Sequence, residues 1–210
     1  MISPGQEVKA GFVARNNVIG PRPNSACLWR WRANHIFGQI AATGLFGAEE
    51  NDVEPQAYRD AMSHFAGAVH VVTTDGPAGR RGATVIAACS VSDSPPMVLV
   101  CLNRENPNNR LYVENGNFAL NTLSAHHQKL AVAFSGATGL TPEARFGLGK
   151  WDTLSSGAPT LADALAVFDC ELIDTKDLAT HRVLFGKVTG LRIGDNLEPL
   201  LYHARNYRVL

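Results

Sequence analysis

The feature that most restricts what this chain can fold into is the cutting of its apolar residues into short runs. Ala68–Thr74, Met97–Leu102 and Phe118–Leu123 are rich in β-branched and large apolar residues and read as strands. The first is closed by the turn Asp75-Gly-Pro-Ala-Gly79 and the second is opened by Pro95-Pro96. A further strand is expected at about Gly82–Ser90, two long ones at about Ala166–Asp174 and His181–Ile193, and a last short one near Tyr207. Links of hairpin length dominate, and such links join antiparallel neighbours. The fold class expected is mostly β with short helices: six or seven antiparallel strands closing toward a small barrel.

Helices punctuate this pattern. Pro55 suits a first helical turn, with Tyr58, Met62 and Phe65 on one face and Gly67 as the cap. Asn106-Pro107 opens a short helix through about Glu114. Ala125–Phe134 reads as another, with Leu130 and Phe134 on one face, and the stretch 136–157 reads as loop. Residues 1–52 carry Pro4, Pro21, Pro23, Trp29 and Trp31 without a helical or strand period. They read as a loosely ordered extension or an arm that contacts a partner, leaving 53–210 as the folded domain.

The 210 residues suit one such domain. Nineteen basic side chains balance nineteen acidic ones, so nucleic acid and anionic membranes are poor partners, because both require a basic surplus. Cys27, Cys89, Cys101 and Cys170 form no C-x-x-C pair, and the last three sit in apolar stretches where a buried thiol is expected. So few cysteines fit a reducing, cytoplasmic location. The least polar early run, Ile36–Ala48, is broken by glycines, and no run of about 18 apolar residues marks a membrane span.

Phosphate-loop, dinucleotide-fold, zinc-protease and serine-hydrolase signatures are missing; Gly147-Leu-Gly149 is an isolated G-x-G in a loop. His126 and His127 are adjacent, so on an α-helix they point apart, and no metal is expected. What remains is Gly82–Pro96, rich in small residues, with hydroxyls at Thr84, Ser90, Ser92 and Ser94. Small side chains on a strand let a flat ring lie against the backbone, though they equally permit tight packing. Asn103, Arg104 and Asn106 follow the next strand and suit an anionic group, as does the turn Phe134-Ser-Gly136.

From Tyr58 to Tyr207 the chain resembles the short-chain flavin reductase family, whose fold is the FMN-binding split barrel. The resemblance is carried by Tyr58–Phe65, Val69–Thr74, Gly82–Ser92 with Asp93–Asn103, and Phe118–Leu123. It continues in Phe134-Ser-Gly136, Arg145-Phe146, Phe168-Asp-Cys170, His181, Phe185-Gly186 and Pro199–Tyr207. It implies that Thr84, Val85, Ile86, Ala87, Ala88 and Cys89 line the flavin ring, largely by backbone. Asn103, Arg104 and Asn106 would lie near the ribityl phosphate or adenylate. Phe134, Ser135, Gly136 and Arg145 would complete the phosphate region, with Phe146 close by. His181 would stand beside flavin and nicotinamide, and Tyr207 near the ring.

The activity so implied is hydride transfer from NADH or NADPH to FMN or FAD, chemistry that needs no protein acid or base. A homodimer is implied as well. The electrons would pass to a flavin-dependent monooxygenase, as in pyrimidine utilisation, or to the cobalt of a corrinoid, as in cob(II)yrinic acid a,c-diamide reduction. A flavin- or haem-binding carrier or sensor without turnover is the alternative.

Overall fold

The computed structural model describes residues 53–195 and 198–210; the 1–52 extension, with Trp29 and Trp31, lies outside the described residues. After helix α1 (Pro55–Met62) and the two-residue strand β1 (Gly67–Ala68), the chain builds β2 (His70–Thr74), β3 (Arg81–Val85), β4 (Ala88–Asp93) and β5 (Pro96–Asn103). A 3-10 turn (Pro107–Arg110) and helix α2 (Leu111–Asn115) lead into β6 (Asn117–Thr122). A second 3-10 turn (Ala125–His127) runs into α3 (Gln128–Phe134). Helix α4 (Pro142–Phe146) and the hairpin β7 (Trp151–Thr153)–β8 (Pro159–Leu161) follow. The long strands β9 (Ala166–Leu178) and β10 (His181–Ile193) come next, and the chain ends in β11 (Leu200–His203) and β12 (Asn206–Val209).

Seven strands form one sheet in the order β3-β2-β6-β9-β10-β5-β4, every pair antiparallel. The expected single strand Gly82–Ser90 is in fact two strands, broken at Ile86-Ala87 and placed on opposite edges. That break closes the barrel. Three Cα steps separate Val85 from Ala88, so they lie within about 11 Å. Seven strands laid flat at about 4.8 Å spacing would hold the two edges roughly 29 Å apart. The sheet must therefore roll until its edges come together at the crossover, where the Cys101 N–H donates to the Ala87 carbonyl at 2.9 Å.

Rolling gives the central strands two buried faces. Val72, Phe118 and Leu120 point into the barrel with Val85, Val100, Leu102, Cys170 and Leu184. Val71 and Ala119 point outward against Leu130, Ala131 and Phe134 of α3 and against Leu161. Two glycines make room for aromatic rings: a Cβ on Gly186 would lie 2.3 Å from Phe118 Cζ, and one on Gly82 would lie 2.4 Å from Phe134 Cε1. Polar groups inside are matched. The Asn121 amide donates to the Val71 carbonyl at 2.9 Å and accepts from the Leu161 N–H at 2.8 Å. The Tyr112 hydroxyl donates to the Val72 carbonyl at 2.9 Å, and burial raises its pKa above the ordinary phenol value.

The small sheet β1-β11-β12 is stitched to the barrel by the Val69 N–H on the Leu200 carbonyl at 2.9 Å. Helix α1 behaves differently from its sequence pattern. Its expected core face, Tyr58, Met62 and Phe65, is exposed, and Gly67 opens β1 instead of capping the helix. Cys170 is buried, Cys101 half-buried and Cys89 exposed, so the expectation of three buried thiols holds fully for Cys170 alone. Burial pushes the Cys170 thiol up to about 12.

Candidate functional site

The site is built on the two sheet edges that the crossover brings together. Half the backbone N–H and C=O groups of an edge strand have no strand partner, and β3 is such an edge. Thr84, Val85 and Ile86 carry that edge into a cavity of about 500 Å³. Helix α3 forms the facing wall through Gln128, Val132 and Ser135, which fall on one helical stripe. The terminal hairpin supplies Tyr202, Arg205 and Tyr207. The Thr84 hydroxyl donates to the Ala131 carbonyl at 2.6 Å, locking strand to helix. Tyr202 and Tyr207 meet edge to face at 5.3 Å between ring centroids, and burial raises the Tyr207 pKa. Arg205 is held by an ion pair to Asp60 of α1.

Two other hollows lie elsewhere on the barrel. One, of about 240 Å³, has Arg104, Asn106, Arg110 and Arg182 around a floor of Leu102 and Leu184. Its cations are fixed from outside: Arg182 makes a two-pronged contact to Asp177 at 2.6 and 2.9 Å. That guanidinium holds the Asp177 carboxyl below its usual range. Arg104 Nη1 lies 3.9 Å from the same carboxylate. The other hollow, about 800 Å³, is broad and mostly apolar. Ala88, Cys89, Met97, Val98, Phe168 and Leu191 line it, with His70 at one side.

The residues singled out from the sequence therefore fall into several separate places. Thr84, Val85, Ile86, Ser135 and Tyr207 share the 500 Å³ cavity. Ala88 and Cys89 face the broad hollow, while Ala87 sits at the crossover between the two. Arg104 and Asn106 line the basic hollow, and Asn103 ends β5 directly opposite His181 in the β5–β10 register. His181 is exposed, its Nδ1 2.9 Å from the Thr180 hydroxyl.

Phe134 and Phe146 depart from their expected place. Both rings are buried in the core, packed on each other at 5.0 Å and on Trp151 at 5.8 and 5.1 Å. Neither lines the 500 Å³ cavity; Phe146 borders instead a separate hollow of about 460 Å³ beside Trp151, with the Arg80 guanidinium 5.3 Å from its ring centroid. Arg145 is half-buried, its Nε donating to the Leu140 carbonyl at 2.9 Å, and Gly136 ends the α3 turn at φ +89°. The cavity residues missed in the sequence include Gln128, Val132, Tyr202 and Arg205. The i, i+4, i+7 spacing of Gln128, Val132 and Ser135 was the available signal.

The cavity lies within the range of small-ligand sites, about 300–1,000 Å³. An unpaired strand edge beside aromatic rings suits a flat heterocycle with hydrogen-bonding margins. Residues 62–210 match the flavin reductase like domain. The chain belongs to the flavin reductase family. A relative from Methylorubrum extorquens, FMN reductase (NADH) RutF 2, is 46% identical over 79% of this chain and 95% of its own. Among solved structures, the Streptomyces globisporus NADH:FAD oxidoreductase SgcE6 superposes with a TM-score of 0.69 at 26% identity, over 76% of this chain and 95% of that one. The same enzyme has been solved with NAD and FAD fragments. BorF, the flavin reductase component of a bacterial two-component tryptophan halogenase, gives 0.68 at 29% identity, over 74% of this chain and 97% of its own. Within the flavin reductases, then, the rolled antiparallel sheet of this chain is the family's barrel.

Proposed function

We propose that this flavin reductase catalyses reduction of FMN by NADH, acts as a homodimer, and passes electrons to a flavin-dependent monooxygenase. The observation that carries the reading is the 500 Å³ cavity between the β3 edge, α3 and the tyrosine pair. Flavin chemistry supplies the acceptance of two electrons from a reduced nicotinamide and their delivery onward. The protein's part is placement. The free edge of Thr84–Ile86 offers backbone donors and acceptors to the ring margin, and Tyr202 and Tyr207 cover apolar area. Gln128 and Ser135 offer polar ends from the facing helix, and Arg205 offers positive charge at the cavity rim. The basic hollow at Arg104 and Arg182 suits the phosphates of a dinucleotide. His181, at the head of β10 and open to solvent, is free to hydrogen-bond a nicotinamide.

The homodimer is supported by the broad apolar hollow and by exposed Val91, Leu191 and Ile193, a surface whose character suits burial. The relatives' names support FMN and NADH, and a structural neighbour, nitrilotriacetate monooxygenase component B from Mycobacterium thermoresistibile (26% identity, TM-score 0.67), supports a monooxygenase acceptor.

Val132→Trp tests the cavity. A large ring projecting from α3 fills the space, so FMN titration by flavin fluorescence should show affinity reduced at least about tenfold, one such factor being 1.4 kcal/mol, with an unchanged far-ultraviolet spectrum. Unaltered FMN affinity would remove the cavity from consideration. Acceptor assays with a monooxygenase and with a cob(II)alamin-type corrinoid then separate the monooxygenase reading from the corrinoid one.

A further inference from the structure

A second constellation lies on the 3-10 turn before α3. His126 and His127 were expected to point apart, and on an α-helix they would. On this tighter turn their rings lie side by side, centroids 3.9 Å apart and planes inclined at 45°, and both Nε2 atoms face Asp163. The distances are 3.3 Å from His126 Nε2 to Oδ2 and 3.2 Å from His127 Nε2 to Oδ1. The three ligand-type atoms lie within 4.8 Å of one another. His127 Nε2 is buried without a hydrogen-bond partner among the described residues, in a side chain 7% exposed, because its carboxylate contact is out of line for an N–H donor. A tetrahedral zinc ion with bonds of about 2.0–2.1 Å places its ligands roughly 3.3–3.4 Å apart. Each imidazole Nε2 already stands at that spacing from one Asp163 oxygen, and a small turn of the carboxylate lets a single oxygen serve both.

The surroundings suit the same use. The Ser124 Oγ lies 2.9 Å from Nδ1 of His126 and 2.9 Å from Nδ1 of His127. That hydroxyl also accepts from the His127 backbone N–H, which reaches the Ser124 carbonyl at 3.0 Å as well; released from the N–H, its two lone pairs can accept from both Nδ1–H groups and leave both Nε2 lone pairs for a metal. A hydrogen bond that fixes the tautomer of a ligating histidine is the usual outer support of such sites. The Ser124 N–H, now 3.2 Å from His127 Nδ1, gives up that contact on binding.

We propose that His126, His127 and Asp163 bind one divalent transition-metal ion of the zinc type, with the fourth position left to water. The ion would clamp the turn to the segment between β8 and β9, and the proposal is independent of the flavin reading. The test is calorimetric titration of the chelator-stripped full chain with zinc sulfate. We expect one ion per chain, with affinity reduced at least about tenfold, the scale known for disrupted metal sites, in both His126→Ala and Asp163→Asn. Both side chains are exposed, at 52% and 59%, so the fold tolerates either change. His64→Ala should bind as the parent does. Absence of zinc binding by the parent chain, or undiminished binding by either variant, overturns the site.

Discussion

Gly82→Ala probes the join between barrel and site. A Cβ there would meet Phe134 Cε1 at 2.4 Å and Cδ1 at 2.7 Å, closer than atoms can sit. The ring cannot simply swing aside, because it is buried at 3% exposure and wedged against Phe146 and Trp151. Either β3 or α3 must shift, and overpacking of this sort costs about 1–3 kcal/mol. For a chain of this size each kcal/mol moves Tm by about 2–4 °C, so the variant should melt about 2–12 °C lower. Because Thr84 and Ser135 are carried on the two elements pushed apart, FMN affinity should fall too. Phe134→Leu alone should cost about 1–2 kcal/mol. Combined with Gly82→Ala it should relieve the clash, so the double variant should be more stable than the sum of the two losses by about 1 kcal/mol or more. Urea titration followed by circular dichroism measures all four corners of the cycle. Strict additivity, or a Gly82→Ala loss below about 0.5 kcal/mol, would refute the packing argument.

Other expectations follow from the same contacts. Burial without an acidic partner lowers the His70 pKa from 6.5 to about 4. The folded chain keeps this ring neutral while the unfolded chain takes up a proton, so stability is full above pH 6.5 and is lost as pH falls toward 4. The loss is at most about 3 kcal/mol, and His70→Gln should flatten that part of a pH–stability curve. Tyr112→Phe leaves the Val72 carbonyl without its 2.9 Å donor and should cost about 1–2 kcal/mol by denaturant titration. His181→Ala should slow hydride transfer while FMN affinity changes little, because its side chain is exposed and outside the cavity. Equal rates in stopped flow would remove it from the nicotinamide site.

How far the sequence spoke depended on whether local residues or closure of the whole sheet decided the outcome. Strands β2, β5 and β6 were legible because β-branched runs and turn residues marked them locally. The break at Ile86-Ala87 was not, since Val85–Cys89 contains no Gly, Pro, Asn, Asp or Ser and reads as part of one continuous strand. Only the need to bring two distant sheet edges together splits it. The exposed face of α1 shows the same limit: a period of 3.6 states that one side is apolar, not that anything packs on it. Phe134 and Phe146 stand beside Ser135 and Arg145 in the sequence, and the family resemblance placed them together near the phosphate. Their inward rotamers against Trp151 arise from tertiary packing. The paired histidines turned on a finer point, a 3-10 turn where a helix was expected.

The most direct test of the central claim is anaerobic mixing of NADH with the FMN-loaded protein while the flavin's visible absorbance is followed. The account predicts rapid bleaching, faster than in a mixture of NADH and free FMN and slowed in Val132→Trp. Flavin that binds in the parent protein yet keeps its colour through the mixing would contradict it and leave a carrier without turnover.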